Sequence, residues 1–337
     1  MSLDSNQSEI RNPKSEIPMV FMGTATFAVP TLEQLFEKGY KIAGVITQPD
    51  KPSGRGQTLT PSPVKQKALD LHLDIYQPKS LKDDEAHALF EALAPQMIIV
   101  VAYGKILPSW LLGLPHYGCI NLHGSLLPKY RGAAPVHWAI ANGETKTGVC
   151  TMKLDEGLDT GPVFLCAETN IGPEESVPPV YDRLAEMGSG LVVETVEGIL
   201  RGTLHPKPQD DSQATFAPIL KKEHGFIDWT MPARQVHNRV RAFNPWPGTV
   251  AKFRGGICKI LRTRVADAVP ALLVKGEQAG PGTIVVSKRS LAVICGDSLW
   301  VEVLSIQPEN RKPVPGADFA NGARIQAGEK FQRVMDN

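Results

Sequence analysis

Three features of the sequence predict an α/β fold: an open, Rossmann-like, mainly parallel sheet with helices on both faces, followed by a small OB-like β-barrel. First, continuous apolar runs such as PMVFMG (18–23), IAGVIT (42–47) and QMIIVVAY (96–103) alternate with stretches of helical periodicity, the rhythm of βαβ units. Strands that are apolar throughout are buried on both faces, as parallel strands between helix layers are. Second, a polar, proline-bearing stretch from 202 to 218 interrupts that rhythm. Third, the chain beyond it consists of short alternating runs separated by frequent turns, the pattern of a small barrel. At 337 residues the chain has room for two domains, each with its own core. The expected division is a disordered polar leader, 1–17; a first domain, 18–203; a linker, 204–218; and a second domain, 219–337. Hydrophobic content of 42% and charged content of 21% suit a soluble globular protein. No apolar run approaches the roughly 18 residues of a membrane span, and the amino terminus lacks the apolar core of a secretion signal. A cytoplasmic location is therefore expected.

Taken in order, 18–23 reads as a buried strand and 26–38 as a helix stopped at Gly39, with a second strand at 41–48. Gly23 is the only glycine in the first strand-to-helix turn, so a GxGxxG fingerprint is absent and dinucleotide binding is disfavoured. Residues 48–63 (QPDKPSGRGQTLTPSP) hold four prolines and two glycines and read as a long irregular loop. Arg55 stands there between Gly54 and Gly56, where flexible backbone could carry its guanidinium to a phosphate. A helix over 62–71 follows, with Ser62 as its cap and Pro63 in its first turn. Next come a short strand near Ile75, a helix over 83–93 and a central strand over 96–103 that ends in Tyr103-Gly104-Lys105-Ile106-Leu107. Beyond the motif described below, a helix is expected at 135–141, strands at 147–154 and 164–171, and a long amphipathic helix at 178–200. In the second domain a helix over 232–243 carries Arg234, Arg239 and Arg241 and closes on NPWPG. Short strands are expected at 249–254, 258–265, 282–288, 291–295 and 299–306.

The stretch around which the chemistry gathers is 119–135, CINLHGSLLPKYRGAAP. It opens as a buried strand and closes in a Gly- and Pro-rich turn. Asn121 and His123 stand two apart at the strand end, so their side chains share one face. The carboxyl ends of strands are where open α/β sheets bind ligands. An amide donor and an imidazole converging there suit stabilisation of a developing oxyanion. Downstream, DEGLDTG (155–161) offers carboxylates on a glycine-bracketed turn, one of which could orient the imidazole. Any one of these residues alone is more simply a capped strand end or a surface acid; together they reverse that reading.

These residues resemble the formyltransferases that use 10-formyltetrahydrofolate, whose hallmark is Asn-x-His-x-Ser-Leu-Leu-Pro followed by a later Asp. The resemblance runs from about residue 18 to about 322. It implies Asn121, His123 and Asp159 as the catalytic positions and Ser125, Leu126, Leu127 and Pro128 as the folate-contacting segment. It also implies Tyr103, Gly104 and Ile106 as a wall of the pterin pocket. KYRGAAP and GLDTG look most like the branch acting on initiator methionyl-tRNA, whereas relatives acting on sugar nucleotides share the first motif and diverge around the second. In the tRNA branch the 48–63 loop enters the acceptor arm, and Arg55 matches its key arginine. Where members often carry further basic residues after this GRG, the present chain has Gln57 and Thr58.

Partner and cofactor expectations follow. From Arg239 to Arg264 the chain carries seven Lys or Arg and no acid. Such a run is ordinarily a solvated face, but on a β-module of a kind that often binds nucleic acid it is also a candidate phosphate surface. Arg239, Arg241, Lys252 and Arg254, with Arg55, are the expected tRNA contacts. A monomer with 10-formyltetrahydrofolate as co-substrate and no metal is expected, since His116, His123 and His137 lack HExxH or comparable spacing. The five cysteines are scattered through apolar segments and read as reduced core thiols with no redox pair. Ser125 lacks the second glycine of a nucleophile elbow, which argues against a serine hydrolase. A sugar-nucleotide amine formyltransferase remains the alternative enzyme, and a non-catalytic RNA-binding protein the alternative class.

Overall fold

The computed structural model describes residues 16–53, 58–266, 279–287, 290–326 and 328–334. The leader up to residue 15, and Arg55 with its neighbours in the 48–63 loop, lie outside the described residues. In chain order the first half contains β1 (Met19–Gly23), α1 (Val29–Glu37), β2 (Ile42–Ile46), β3 (Lys51–Ser53), β4 (Thr58–Thr60), α2 (Pro63–Asp70), β5 (Ile75–Tyr76), α3 (Asp84–Leu93), β6 (Met97–Val101), α4 (Ser109–Leu112) and β7 (Cys119–His123). Then come β8 (Arg131–Gly132), α5 (Pro135–Ala141), β9 (Lys146–Lys153), β10 (Val163–Asn170) and α6 (Val177–Leu200). Beyond these lie β11 (Phe216–Ala217), α7 (Ala233–Phe243), β12 (Val250–Phe253), β13 (Gly256–Ala266), β14 (Ile284–Val286), β15 (Leu291–Ile294), β16 (Trp300–Pro308), β17 (Val314–Pro315) and α8 (Gly316–Gly322). No described helix is long and apolar enough to cross a membrane.

The described chain forms two compact units. One comprises Met1–Pro128, Val149–Ala167 and Arg183–Gln213; the other, Lys129–Gly148, Glu168–Asp182 and Ala214–Asn337. The division after Gln213 falls within the polar stretch that interrupts the βαβ rhythm.

The first unit is built on a seven-stranded sheet in the order β10-β9-β7-β6-β1-β2-β5. β1, β6 and β7 are buried at every position, as their unbroken apolar character requires. The pairs from β7 through β6 and β1 to β2 and β5 are parallel, whereas β9 runs antiparallel to β7. Helix starts follow local chemistry. Ser62 Oγ accepts from Lys65 N at 3.1 Å to cap α2, whose first residue is Pro63. Asp83 Oδ1 accepts from Ala86 N at 3.0 Å to cap α3. Helix α6 meets β7 through Gly188, where an added Cβ would lie 2.5 Å from Leu122 Cδ2. Leu122 therefore faces α6, and Asn121 and His123, one residue to either side, take the opposite face of the sheet.

Two expectations need correction here. The 48–63 loop is not irregular throughout, because Lys51–Ser53 and Thr58–Thr60 pair as an antiparallel ribbon. The cysteines are not all free: Cys150 on β9 and Cys166 on β10 form a disulfide, with Cα atoms 4.2 Å apart. They stand sixteen positions apart in sequence. Adjacent strands bring them face to face, a juxtaposition that spacing alone does not reveal. Cys119, Cys258 and Cys295 are free and buried.

The second unit centres on an antiparallel sheet, β12-β13-β16-β15-β14, with β17 on β16, which forms a half-barrel. Its two outer strands are bridged by the segment 329–332. Gln332 and Lys252 exchange backbone bonds at one edge, and Ile284 N donates to Glu329 O and Phe331 N to Gly282 O at the other. Pairing both edges in this way removes the exposed ladders that an open sheet presents. Helix α7 lays Ala233, Val236 and Val240 on the inner face against Ala251, Ile260, Val293 and Val303.

Candidate active site

The end of β7 places Asn121 and His123 on one face with little solvent access, 9% and 5% exposed. On one side Asn121 lies in register with Val100 of β6, and on the other with Met152 of β9, while His123 faces Cys150. Both side chains are thus held by strands paired on each side. The antiparallel β9 carries the chain away from His123 and into the acidic turn, which returns as β10. His123 Nδ1 lies 3.6 Å from Asp159 Oδ2, within electrostatic reach though longer than a hydrogen bond.

The turn that presents Asp159 is tightly determined. Asp155 Oδ1 accepts from Gly157 N at 3.1 Å and from Thr160 Oγ1 at 2.7 Å, closing the loop from within. Asp159 itself has φ 52°, a left-handed conformation that a non-glycine residue adopts at a cost. Gly161 follows because its backbone abuts Lys153; a Cβ there would meet the Lys153 carbonyl oxygen at 1.8 Å. From outside, Gln209 Nε2 donates to the carbonyls of Asp159 and Gly161 at 2.8 and 2.7 Å.

The other residues expected at the donor site also lie in the first unit. Ser125 is buried, and Leu126, Leu127 and Pro128 are half-buried beyond it. At the end of β6, Tyr103 directs its side chain into the apolar core with Val20, Met22, Ile98 and Leu111. Burial pushes its phenol up to about 12, so it stays neutral. What Tyr103 offers outward is backbone: its carbonyl accepts from Gln48 Nε2 at 2.8 Å and Thr24 Oγ1 at 3.0 Å. Gly104 is exposed with φ 81°, and Ile106 is 85% exposed. Exposed backbone polar groups beside an apolar side chain suit a flat heterocycle with hydrogen-bonding edges. Gln48 and Gln209 escaped the sequence reading because isolated glutamines in polar stretches carry no motif or periodicity.

Of the residues expected at tRNA, Arg55 lies outside the described residues; the other four lie in the second unit, and the structure divides them. Lys252 is exposed on the outer face of β12. Arg254 is exposed too, but it makes a two-pronged bond to Glu329 at 2.7 and 2.8 Å and donates to Ala323 O. Arg239 is half-buried, donates to His224 O at 3.2 Å and sits 5.6 Å over the Phe243 ring. Arg241 differs from expectation. It is only 8% exposed and spends its guanidinium on Asn238 Oδ1 and the carbonyls of Gly172 and Glu175. Its charge braces the fold from inside. On β13, Lys259 and Arg262 are exposed without an ion-pair partner among the described residues, whereas Arg264 pairs with Glu302. Among the described residues no cluster of His, Cys, Asp and Glu could hold a metal ion.

Residues 17–196 match the formyl transferase family model, and 219–324 match that of the formyl transferase C-terminal domain. The methionyl-tRNA formyltransferase of Solibacter usitatus is 48% identical over 313 residues, covering 93% of this chain and 98% of that protein. Among solved structures, a sugar 3N-formyl transferase determined with dTDP and 5-N-formyl-THF aligns with a TM-score of 0.63 over 88% of this chain and all of its own. At 19% identity, that likeness establishes the fold alone. HypX from Aquifex aeolicus in complex with tetrahydrofolic acid aligns with a TM-score of 0.61 at 16% identity, over 96% of this chain and 51% of its own. With half the chain matched by one family model and close relatives spanning nearly all of it, the protein belongs to the formyl transferase family, among its methionyl-tRNA formyltransferases.

Proposed function

We infer that this chain formylates the methionine amine of initiator methionyl-tRNA, taking the formyl group from 10-formyltetrahydrofolate and acting as a cytoplasmic monomer. The observation that carries the reading is the convergence of Asn121, His123 and Asp159 at the buried end of β7, in a chain so similar to methionyl-tRNA formyltransferases. The folate supplies an acyl carbon on a nitrogen that can leave once protonated. As the neutral amine attacks, negative charge gathers on the formyl oxygen. The Asn121 amide and the His123 imidazole donate to it, in a setting where fixed donors act more strongly than in water. Asp159 orients His123 and accepts the amine's proton, directly or through water, for relay to the departing nitrogen. Burial of His123 and Asn121 keeps these donors from being satisfied by bulk solvent. Ser125 to Pro128 and the Tyr103–Ile106 edge would hold the donor. Arg55 and the outer face of β12 and β13 would hold the nucleic acid.

The test is formylation of charged initiator tRNA by purified protein, with 10-formyltetrahydrofolate present or omitted and an amino-sugar nucleotide as rival acceptor. Donor-dependent formylmethionyl-tRNA is expected. Formylation of the sugar nucleotide in its place would overturn the assignment.

A further inference from the structure

Gln209 lies in the polar stretch expected to serve as a linker, yet its side chain is spent on the turn that carries Asp159. One amide nitrogen donates both of its hydrogens, to Asp159 O at 2.8 Å and to Gly161 O at 2.7 Å. The two carbonyls flank Thr160, so the bonds tie together the two ends of the left-handed step at Asp159, φ 52°. The backbone that delivers Gln209 is itself registered. Lys207 and Val163 exchange N–H to carbonyl bonds at 2.8 Å in both directions, which pins the chain two residues before Gln209 to the first residue of β10. Asp155 closes the turn from within and Gly161 lets it lie flat on Lys153. Gln209 braces it from outside.

We propose that Gln209 is a positioning residue for formyl transfer: its amide clamps the 159–161 turn in the conformation that keeps the Asp159 carboxylate against His123. The proposal rests on reading Asp159 as the catalytic carboxylate. A non-glycine residue persists in the left-handed region only where its surroundings over-determine it. Released from the clamp, residue 159 can relax toward ordinary backbone angles and carry its carboxylate away from the imidazole. Asp159 and Thr160 are half-exposed, so the Asp159 carbonyl can turn to water when the amide is removed, whereas Gly161 is buried and its carbonyl is left unpaired. The fold therefore loses one hydrogen bond at a buried carbonyl, whereas the site loses its geometry.

Three variants separate these roles. Gln209→Glu keeps the shape but places a carboxylate, which donates nothing at neutral pH, against two carbonyl oxygens. Gln209→Ala removes the group, and Asp159→Asn removes the charge that the clamp serves. The measurements are kcat, KM for 10-formyltetrahydrofolate and melting temperature. The clamp predicts kcat lower by roughly 10- to 100-fold in both Gln209 variants, with KM close to the parent's and a folded protein whose melting temperature falls only by the cost of one unpaired carbonyl. Combining Gln209→Ala with Asp159→Asn should cost no more than Asp159→Asn alone, since the two act through one geometry. A merely structural role predicts the reverse: Gln209→Glu near parental kcat, and losses that follow melting temperature. That result, or a further tenfold fall in the double variant, overturns the proposal. If Asp159→Asn keeps parental kcat, the catalytic reading fails and the clamp's role fails with it. If Asp159→Asn is inactive while Gln209→Glu is active, only the clamp fails.

Discussion

Replacing Gly161 by alanine tests whether the placement of the 159–161 turn, rather than its composition, sets the rate. The added Cβ would lie 1.8 Å from the Lys153 carbonyl oxygen and 3.0 Å from its carbon. Real Cβ contacts do not fall under 3.0 Å, so carbon and oxygen must separate by at least about 1.2 Å. Lys153 cannot supply that movement cheaply, because it is paired with Ile120 of β7 at the end of a buried strand. The turn must move, straining the bond from Lys153 N to Pro162 O, now 2.9 Å. Two residues away, the 3.6 Å contact between His123 and Asp159 opens with it. A misplacement of about 1 Å at a reacting centre costs on the order of 100-fold in rate. Gly161→Ala should therefore lower kcat for methionyl-tRNA formylation by about that factor, with KM for the folate nearly unchanged. The control is Gly190→Ala, on the exposed side of α6, where nothing lies within 4 Å of the added carbon. It should leave kcat alone and stabilise the protein by about 0.5–1 kcal/mol. Parental kcat in a folded Gly161→Ala protein would refute the idea that this turn's geometry limits the reaction.

Three other outcomes are expected. His123→Ala and Asn121→Ala should each lower kcat by about 100-fold or more, the scale of losing one oxyanion donor, with little change in folate affinity measured by titration; near-parental turnover in either removes that residue from the mechanism. Burial holds His237 and His137 below the ordinary histidine value. The unfolded chain then binds more protons below about pH 6.5, so stability is full above that pH and falls as pH drops through it. His237→Gln should flatten the decline in melting temperature between about pH 7 and pH 5, and an unchanged decline would rule His237 out. Finally, replacing Lys252, Lys259 and Arg262 together by alanine should make the log–log salt slope of tRNA binding shallower by about 2.7, at about 0.9 per phosphate neutralised. Replacing Arg241, whose charge is already spent inside the protein, should act on melting temperature instead; an unchanged slope in the triple variant would discard the outer face of β12 and β13 as a tRNA platform.

The sequence by itself determined the layered α/β architecture and a small barrel of short strands after it, which the structure closes as a half-barrel. Strands buried on both faces, such as Met97–Val101, must be apolar without interruption, and the short alternating runs after residue 218 can only be half-buried strands. It also determined that Asn121 and His123 share a face, since a strand repeats every two residues whatever it pairs with. Local periodicity says which way a side chain points, but not what it meets. That Asp159 comes to His123, that Cys150 meets Cys166, and that Gln209 reaches the turn were decided by strand pairing across long separations in the chain. The same holds for Arg241. Within a run of seven cations and no acid it reads as surface charge, yet helix α7 turns it inward, where carbonyls satisfy it and little of it meets water. A charge run records composition along the chain, whereas burial depends on the face that packing selects, and only the tertiary structure makes that selection.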